Sequence, residues 1–291
     1  MQVAKVEDST PVRRVQELKF GFTTQQIIEE GRVNSDDISL LKTWLPTQRQ
    51  LPRLTDEQIV LFLLCSSNDP EKTKITIQRH YCIKIRAPNL FNNRRCSRED
   101  LQLQMKTYQF GVLPERTDDG HAIVFCRMKD TNYANAIMEP SLVLCFMTME
   151  AAFYDHPPNG IIILLDQKGT GLLHLTQLRI GLVKLFMEYV QEGLPMKVKK
   201  VHVINTVHFI DKMMGLMKPF ISKESYEMLV FHPPNMDMKI FHAKWIPKRC
   251  LPEEYGGDLP SIEIIHQKNI RKLIEMETYF DAEEFQRRSL K

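Results

Sequence analysis

Asp166 ends the apolar run 161–165, and Gly169, Thr170 and Gly171 follow it within five positions. An aspartate at the end of a buried strand, before a glycine turn, can serve as a nucleophile for phosphoryl transfer. That chemistry wants an acid or hydroxyl two residues on, to move the proton or help hold magnesium. The chain has Lys168 there, whose ammonium would repel the metal. The same stretch also reads as D-x-x-G, Asp166 to Gly169, but no G-x-x-x-x-G-K-[ST] loop exists to cradle a nucleotide. The histidines form only isolated pairs with cysteine, His80 with Cys82 and His242 with Cys250, whereas zinc requires three or four convergent ligands. His202 and His208 flank an apolar segment and read as core-edge or surface residues. Without a G-x-S-x-G there is no serine-hydrolase signal either. No catalytic residue, metal or cofactor is expected, and a phosphotransferase using Asp166 is the weakest alternative. Asp166 is expected to cap its strand and bond the turn that Gly169 and Gly171 permit.

A second constellation is built from methionine and lysine. Eleven of the fifteen methionines fall between positions 138 and 238, so that region relies on flexible, polarizable side chains. Ile210, Met213, Met214 and Met217 stand at i, i+3, i+4 and i+7, one face of a helix. Such a stripe suits an ordinary core-facing helix. It also suits a membrane-docking one, because Lys197, Lys199 and Lys200 lie upstream and Lys212 and Lys218 share the segment. Apolar groups would enter lipid while the ammonium groups meet anionic headgroups.

The elements that must position these groups have two textures. Residues 1–34 are polar and mixed, an N-terminal arm or loosely docked helix. Ser35 is expected to cap a helix with Asp36 and Asp37 in its first turn. Thr55 and Glu57 repeat that grammar before Ile59, Leu61, Phe62 and Leu63, and Pro70 opens a third helix that closes before Pro88. Residues 35–105 thus predict a small all-helical domain. From 106 to 261, short apolar strands around 121–128, 161–165, 198–204 and 227–233 alternate with helices around 140–154, 172–193 and 209–220. The pattern predicts an α/β domain with a mixed, mostly parallel sheet flanked by helices. Residues 262–291 predict a charged helical extension.

Composition excludes several classes. A hydrophobic content of 43% and a charged content of 26% are those of an ordinary globular protein. A net charge of +3 does not predict nucleic-acid binding. Six cysteines without C-x-x-C spacing, and no signal peptide, predict a reducing cytosol. No stretch approaches the roughly 20 apolar residues of a membrane span.

Five blocks, in order, carry a family resemblance: LTDEQIVLFLL (54–64), NGIIILLDQKG (159–169), KVKKVHVIN (197–205), MKPF (217–220) and LPEEYGGDLP (251–260). Over residues 35 to about 265 the chain resembles the CRAL-TRIO lipid-binding family. The resemblance implies a helical N-terminal domain and a sheet-and-helix domain around an apolar pocket, under a lid helix running from about 205 or 207 to 220. It implies pocket walls that include Val143, Met147, Ile161, Leu165, Leu178, Phe186, Tyr189, Val190, Leu194, Val198 and Val201, with Phe209, Ile210 and Met213 on the lid. In the tocopherol-carrying branch a four-member basic cluster reads phosphoinositide headgroups. Lys197 and Lys199 match two members, the other two fall on Glu224 and Met228, and Lys200, Lys218 or Lys223 are expected to substitute. Ligand-ordering serines of that branch are replaced here at Val143 and Met147, which implies a drier cavity for an isoprenoid, retinoid, carotenoid or tocopherol-like ligand. The expected activity is that of a non-enzymatic, monomeric carrier that exchanges a small hydrophobic lipid at an anionic membrane surface. It would be cytoplasmic and only transiently membrane-associated. A lipid-sensing module that recruits a protein partner through the C-terminal helix is the alternative.

Overall fold

The computed structural model describes residues 17–289. Helices come first: α1 (Thr24–Glu29), α2 (Ser35–Trp44), α3 (Asp56–Cys65), α4 (Pro70–Arg86), α5 (Pro88–Phe91) and α6 (Glu99–Thr107). Their starts follow local chemistry. Thr55 and Gln58 close a reciprocal capping box at α3, and Asp69 accepts the Glu71 and Lys72 N–H groups ahead of Pro70. At α2 the cap is Asn34, whose side chain accepts from Asp36 N at 3.0 Å, and not the expected Ser35, which is already helical. Residues 17–34 include α1 and bury Phe22 and Ile27 against the rest of the helical core. Residues 1–16 of the expected arm lie outside the described residues.

The sheet follows in the order β1 (Tyr108–Val112), β2 (Ala122–Met128), β3 (Ile161–Asp166), β4 (Val198–Ile204), β5 (Leu229–Phe231). β1, for which the sequence raised no strand expectation, pairs antiparallel with β2, and the remaining pairs are parallel. A sequentially ordered parallel sheet with crossovers of the usual right hand carries all of them on one face. That face holds α7 (Met138–Tyr154), α8 (Ile180–Glu188), α9 (Ile210–Met217) and α10 (Lys223–Glu227). The opposite face presents Ile123, Phe125, Ile162, Leu164 and Ile204 to α11 (Met238–Lys244), the 246–255 segment and the start of α12 (Ile262–Glu275). A final helix, α13 (Glu277–Arg288), is separated from α12 by a break at Met276.

The helix expected over 172–193 is three pieces. A 3-10 turn (Leu172–Gln177) precedes α8, and a π-helical turn (Tyr189–Gly193) follows it, closed by Leu194 N donating to Tyr189 O at 2.7 Å. Gly193 sits where α4 comes close: a Cβ there would lie 3.1 Å from the Tyr189 ring and 3.3 Å from His80 Cα, and its carbonyl bonds His80 Nδ1 at 2.8 Å.

Candidate functional site

The sheet face beneath α7–α9 is not filled by side chains. Ile163 and Leu165 of β3 stand in register with Val201 and Val203 of β4, and those with Leu229 and Phe231 of β5. These six apolar residues floor a cavity of about 490 Å3. Cys145 and Met149 of α7, Phe186 and Met187 of α8, Val190 of the π-turn, and Leu194 and Met196 beyond it form the walls. Ile210, Met213, Met214 and Met217 of α9 form the roof, and Val198, Ile221 and Met228 also line the cavity. Burial pushes the Cys145 thiol up to about 12 and the Cys65 thiol to about 11, so both are neutral and act as small apolar groups. Among the lining residues the charged side chains are Glu192 and Lys197.

No side chain of α9 is buried. Its stripe of methionines faces the void beneath it, so packing contributes little to its position. Two glutamines hold it by hydrogen bonds. At the entry, Gln167 Oε1 accepts Val207 N at 3.0 Å. At the exit, Gln191 Nε2 donates to Phe220 O at 3.0 Å, and its Oε1 accepts Ser222 N at 2.7 Å.

An apolar cavity on one face of a sequentially ordered sheet, under a methionine-rich helix, agrees with what comparison of the whole sequence finds: the CRAL/TRIO domain model matches residues 106–257. The chain belongs to the CRAL-TRIO family. A model for a Pinta-like UBA domain matches residues 31–101. The chain is similar to an alpha-tocopherol transfer protein-like protein of Homo sapiens, with 25% identity over 206 residues, 70% of this chain and 59% of that one. It therefore spans less than two thirds of that relative's length. It is also similar to clavesin-1 of Xenopus laevis, 23% identical over 252 residues, 82% of this chain and 75% of that one. The crystal structure of Sfh5 aligns at a TM-score of 0.49 with 12% identity, covering 73% of this chain and 76% of that one.

Of the residues expected in this CRAL-TRIO pocket, Leu165, Phe186, Val190, Leu194, Val198, Val201, Ile210 and Met213 line the cavity. Val143, Met147, Ile161 and Tyr189 do not: they are packed in the core. On α7 the cavity takes Cys145 and Met149, a rotation of about 160° from Val143 and Met147 at 100° per residue. The inference of dryness from positions 143 and 147 is thereby corrected; the dry wall is made by the thiol and methionine on the other face. Tyr189 lies between Phe91 and Phe146, each 4.9 Å away by ring centroids. Leu178 is half-buried in the link before α8, and Phe209 is buried at the start of α9. Neither lines the cavity. Ile163 was missed although period two along β3 puts it on the face of Leu165.

The lysines are dispersed. Lys197 lines the cavity and donates to Ser67 Oγ. Lys199 lays its stem over Gly160, where a Cβ would meet it at 2.8 Å. Lys200 stands in register with Ile162, whose side chain packs on the opposite face of the sheet. Lys218 lies 6.0 Å over the Tyr226 ring, and Lys223 is exposed. Glu224 is exposed on α10, and Met228 lines the cavity.

Asp166 is held by three hydrogen bonds. Its Oδ1 accepts from Lys168 N at 2.9 Å and Asn205 Nδ2 at 2.7 Å, and its Oδ2 accepts from the Tyr255 hydroxyl at 2.9 Å. Of the two glycines after it, Gly169 has φ +86° and supplies the turn, whereas Gly171 is extended at φ −105°. Among the described residues no group of three or more His, Cys, Asp or Glu is arranged to hold a metal ion. No helix of theirs is long and apolar enough to cross a membrane.

Proposed function

We propose that this chain is a non-enzymatic, cytosolic carrier that binds one small hydrophobic lipid under α9, acting as a lid, and exchanges it at membranes. The observation that carries the reading is the apolar cavity beneath a helix with no buried side chain. A volume of about 490 Å3 accommodates about sixteen methylene-sized groups at roughly 30 Å3 each. Removing that many from water contributes about 13 kcal/mol, enough to make escape through water slow. The apolar lining favours an isoprenoid, retinoid, carotenoid or tocopherol-like molecule, and the name of the tocopherol-transfer relative points the same way.

Lipid exchange needs a docking face, and the surroundings of the lid supply its chemistry. Leu172, Leu173, Ile180 and Leu216 are exposed. Lys168, Arg179, Lys184 and Lys212 accompany them, and no acidic residue occurs from 167 to 187. Apolar side chains that cost about 1.5–3 kcal/mol each in water cost little against a bilayer. The lid therefore opens at membranes and stays shut elsewhere. With its lysines dispersed, docking depends on anionic charge in general, phosphoinositides included.

The test is transfer of retinol between phosphatidylcholine vesicles containing phosphatidylserine, followed by its fluorescence. The protein is expected to accelerate transfer, Phe186→Asp to abolish binding, and Leu172→Asp with Leu173→Asp to slow transfer while leaving binding intact. Retention of normal occupancy by Phe186→Asp overturns the cavity assignment. Unchanged transfer by the double variant overturns the docking face.

A further inference from the structure

Beside the main cavity lies a second void of about 80 Å3, between α7 and the β1–β2 edge of the sheet. Its floor includes Val124 and Cys126 of β2, and Leu144 and Cys145 of α7 lie above. Parallel pairing puts Val124 beside Ile163 and Cys126 beside Leu165, the two β3 residues that floor the main cavity. The two voids therefore share one continuous sheet face. Cys145 lines both, and it is one of the smallest side chains that could divide them.

The surface of the chamber is almost wholly apolar. The single Ser141 O–H is shared between two acceptors of the protein, Ile137 O at 2.7 Å and Gln104 Oε1 at 2.9 Å. The Thr148 hydroxyl oxygen accepts from Asn269 Nδ2 at 3.4 Å. Empty apolar voids of this kind stay dry and accept apolar guests. The charged residues of the main cavity, Glu192 and Lys197, stand before β4, at the amino end of the strands.

We propose that the chamber is the terminal subsite of the ligand cavity, opened by rotation of the Cys145 side chain, and that it receives the apolar end of a chain whose polar end lies toward Glu192 and Lys197. The inference rests on the carrier reading above and adds the orientation and length of the ligand. At roughly 30 Å3 per group the chamber admits about two or three further carbon atoms, each worth about fourfold in affinity.

The experiment measures displacement of anilinonaphthalene sulfonate by a homologous series of straight-chain primary alcohols. Filling the chamber from above with Cys145→Phe, or from below with Val124→Phe, is expected to shorten the optimal chain by about two or three carbons. Affinity for the longest chains should fall about fifteen- to sixtyfold. An unchanged optimum in a folded variant overturns the proposal. Crystals of the wild-type protein under xenon test the chamber without any substitution: a xenon atom between Cys126 and Leu144 is expected, and its absence overturns the proposal. If no alcohol displaces the dye from wild-type protein, the carrier reading itself fails, whatever xenon shows.

Discussion

Tyr255 donates its hydroxyl to Asp166 Oδ2 at 2.9 Å, across 89 residues of sequence. Through its other oxygen the same carboxylate holds Asn205, whose φ is +51° and which leads toward α9. One side chain thus fixes the end of β3, the entry to α9 and the 251–260 turn. That turn admits no side chain at Gly257, where a Cβ would fall 1.8 Å from Leu251 O, and Gly256 adopts φ +68°.

Asp166→Ala is therefore expected to destabilise the fold by about 3 kcal/mol, because hydrogen bonds to a charged group are each worth about 1.5–3 kcal/mol and their donors would be left in place. Urea unfolding measures it. A phosphate ester with magnesium should show no turnover in the wild-type protein that Asp166→Asn removes; such turnover would restore the catalytic alternative.

Gln191 ties the segment after α9, the proposed lid, to the π-turn through Phe220 O and Ser222 N. Gln191→Leu should raise the rate of retinol release to vesicles several-fold and lower stability by only about 1–2 kcal/mol. An unaltered release rate would show that the lid does not open at that end.

Lys84, Arg94, Glu150, Glu283 and Arg287 form a buried cluster joining α4, α7 and α13, with Lys84 Nζ 2.9 Å from Glu150 Oε1 and 3.2 Å from Glu283 Oε1. Burial alone would raise the Glu283 carboxyl, but Lys84, Arg94 and Arg287 hold it well below the usual carboxylate range. Its contribution is then complete above about pH 4.5 and is lost as pH falls toward that lower value. Glu283→Gln should cost about 3–5 kcal/mol at neutral pH, since three cations lose a partner. It should also flatten the acid limb of the stability curve, which thermal melts across pH would record.

His202 Nδ1 and His232 Nε2 lie 3.0 Å apart under Phe241 and Trp245. Burial, with His232 and Lys200 nearby, pushes His202 down to about 4. The unfolded chain, titrating near pH 6.5, binds the proton first. Stability from this pair is complete above about pH 6.5 and falls by up to about 3 kcal/mol as pH drops to 4. A His202→Phe variant should lose this dependence between pH 6.5 and 4; a curve that keeps it would place the titration elsewhere.

Local signals in the chain were legible where one residue settles the geometry. Thr55, Asp69 and Pro70 start their helices as capping chemistry requires, and the apolar runs of β3 and β4 carry their own period. The face that α7 turns to the cavity was not legible, because nearly all of 140–154 is apolar and Val143 and Cys145 satisfy the same pattern. Nor was the π-turn at Tyr189–Gly193, which accompanies the close approach of α4 at Gly193.

The sequence by itself determined the family, the alternation of strands with crossover helices, and a methionine-striped segment close to lysines, which suited a core helix and a membrane-docking one alike. Only the tertiary structure decided that Asp166 is a three-way tie and that the lysines are spread over different faces. It alone showed that Ile163, not Ile161, meets the cavity, and that the thiol of Cys145 stands between two voids. The reason is physical: period and capping act within a few residues, whereas a cavity is what remains when elements distant in sequence pack without filling the space between them.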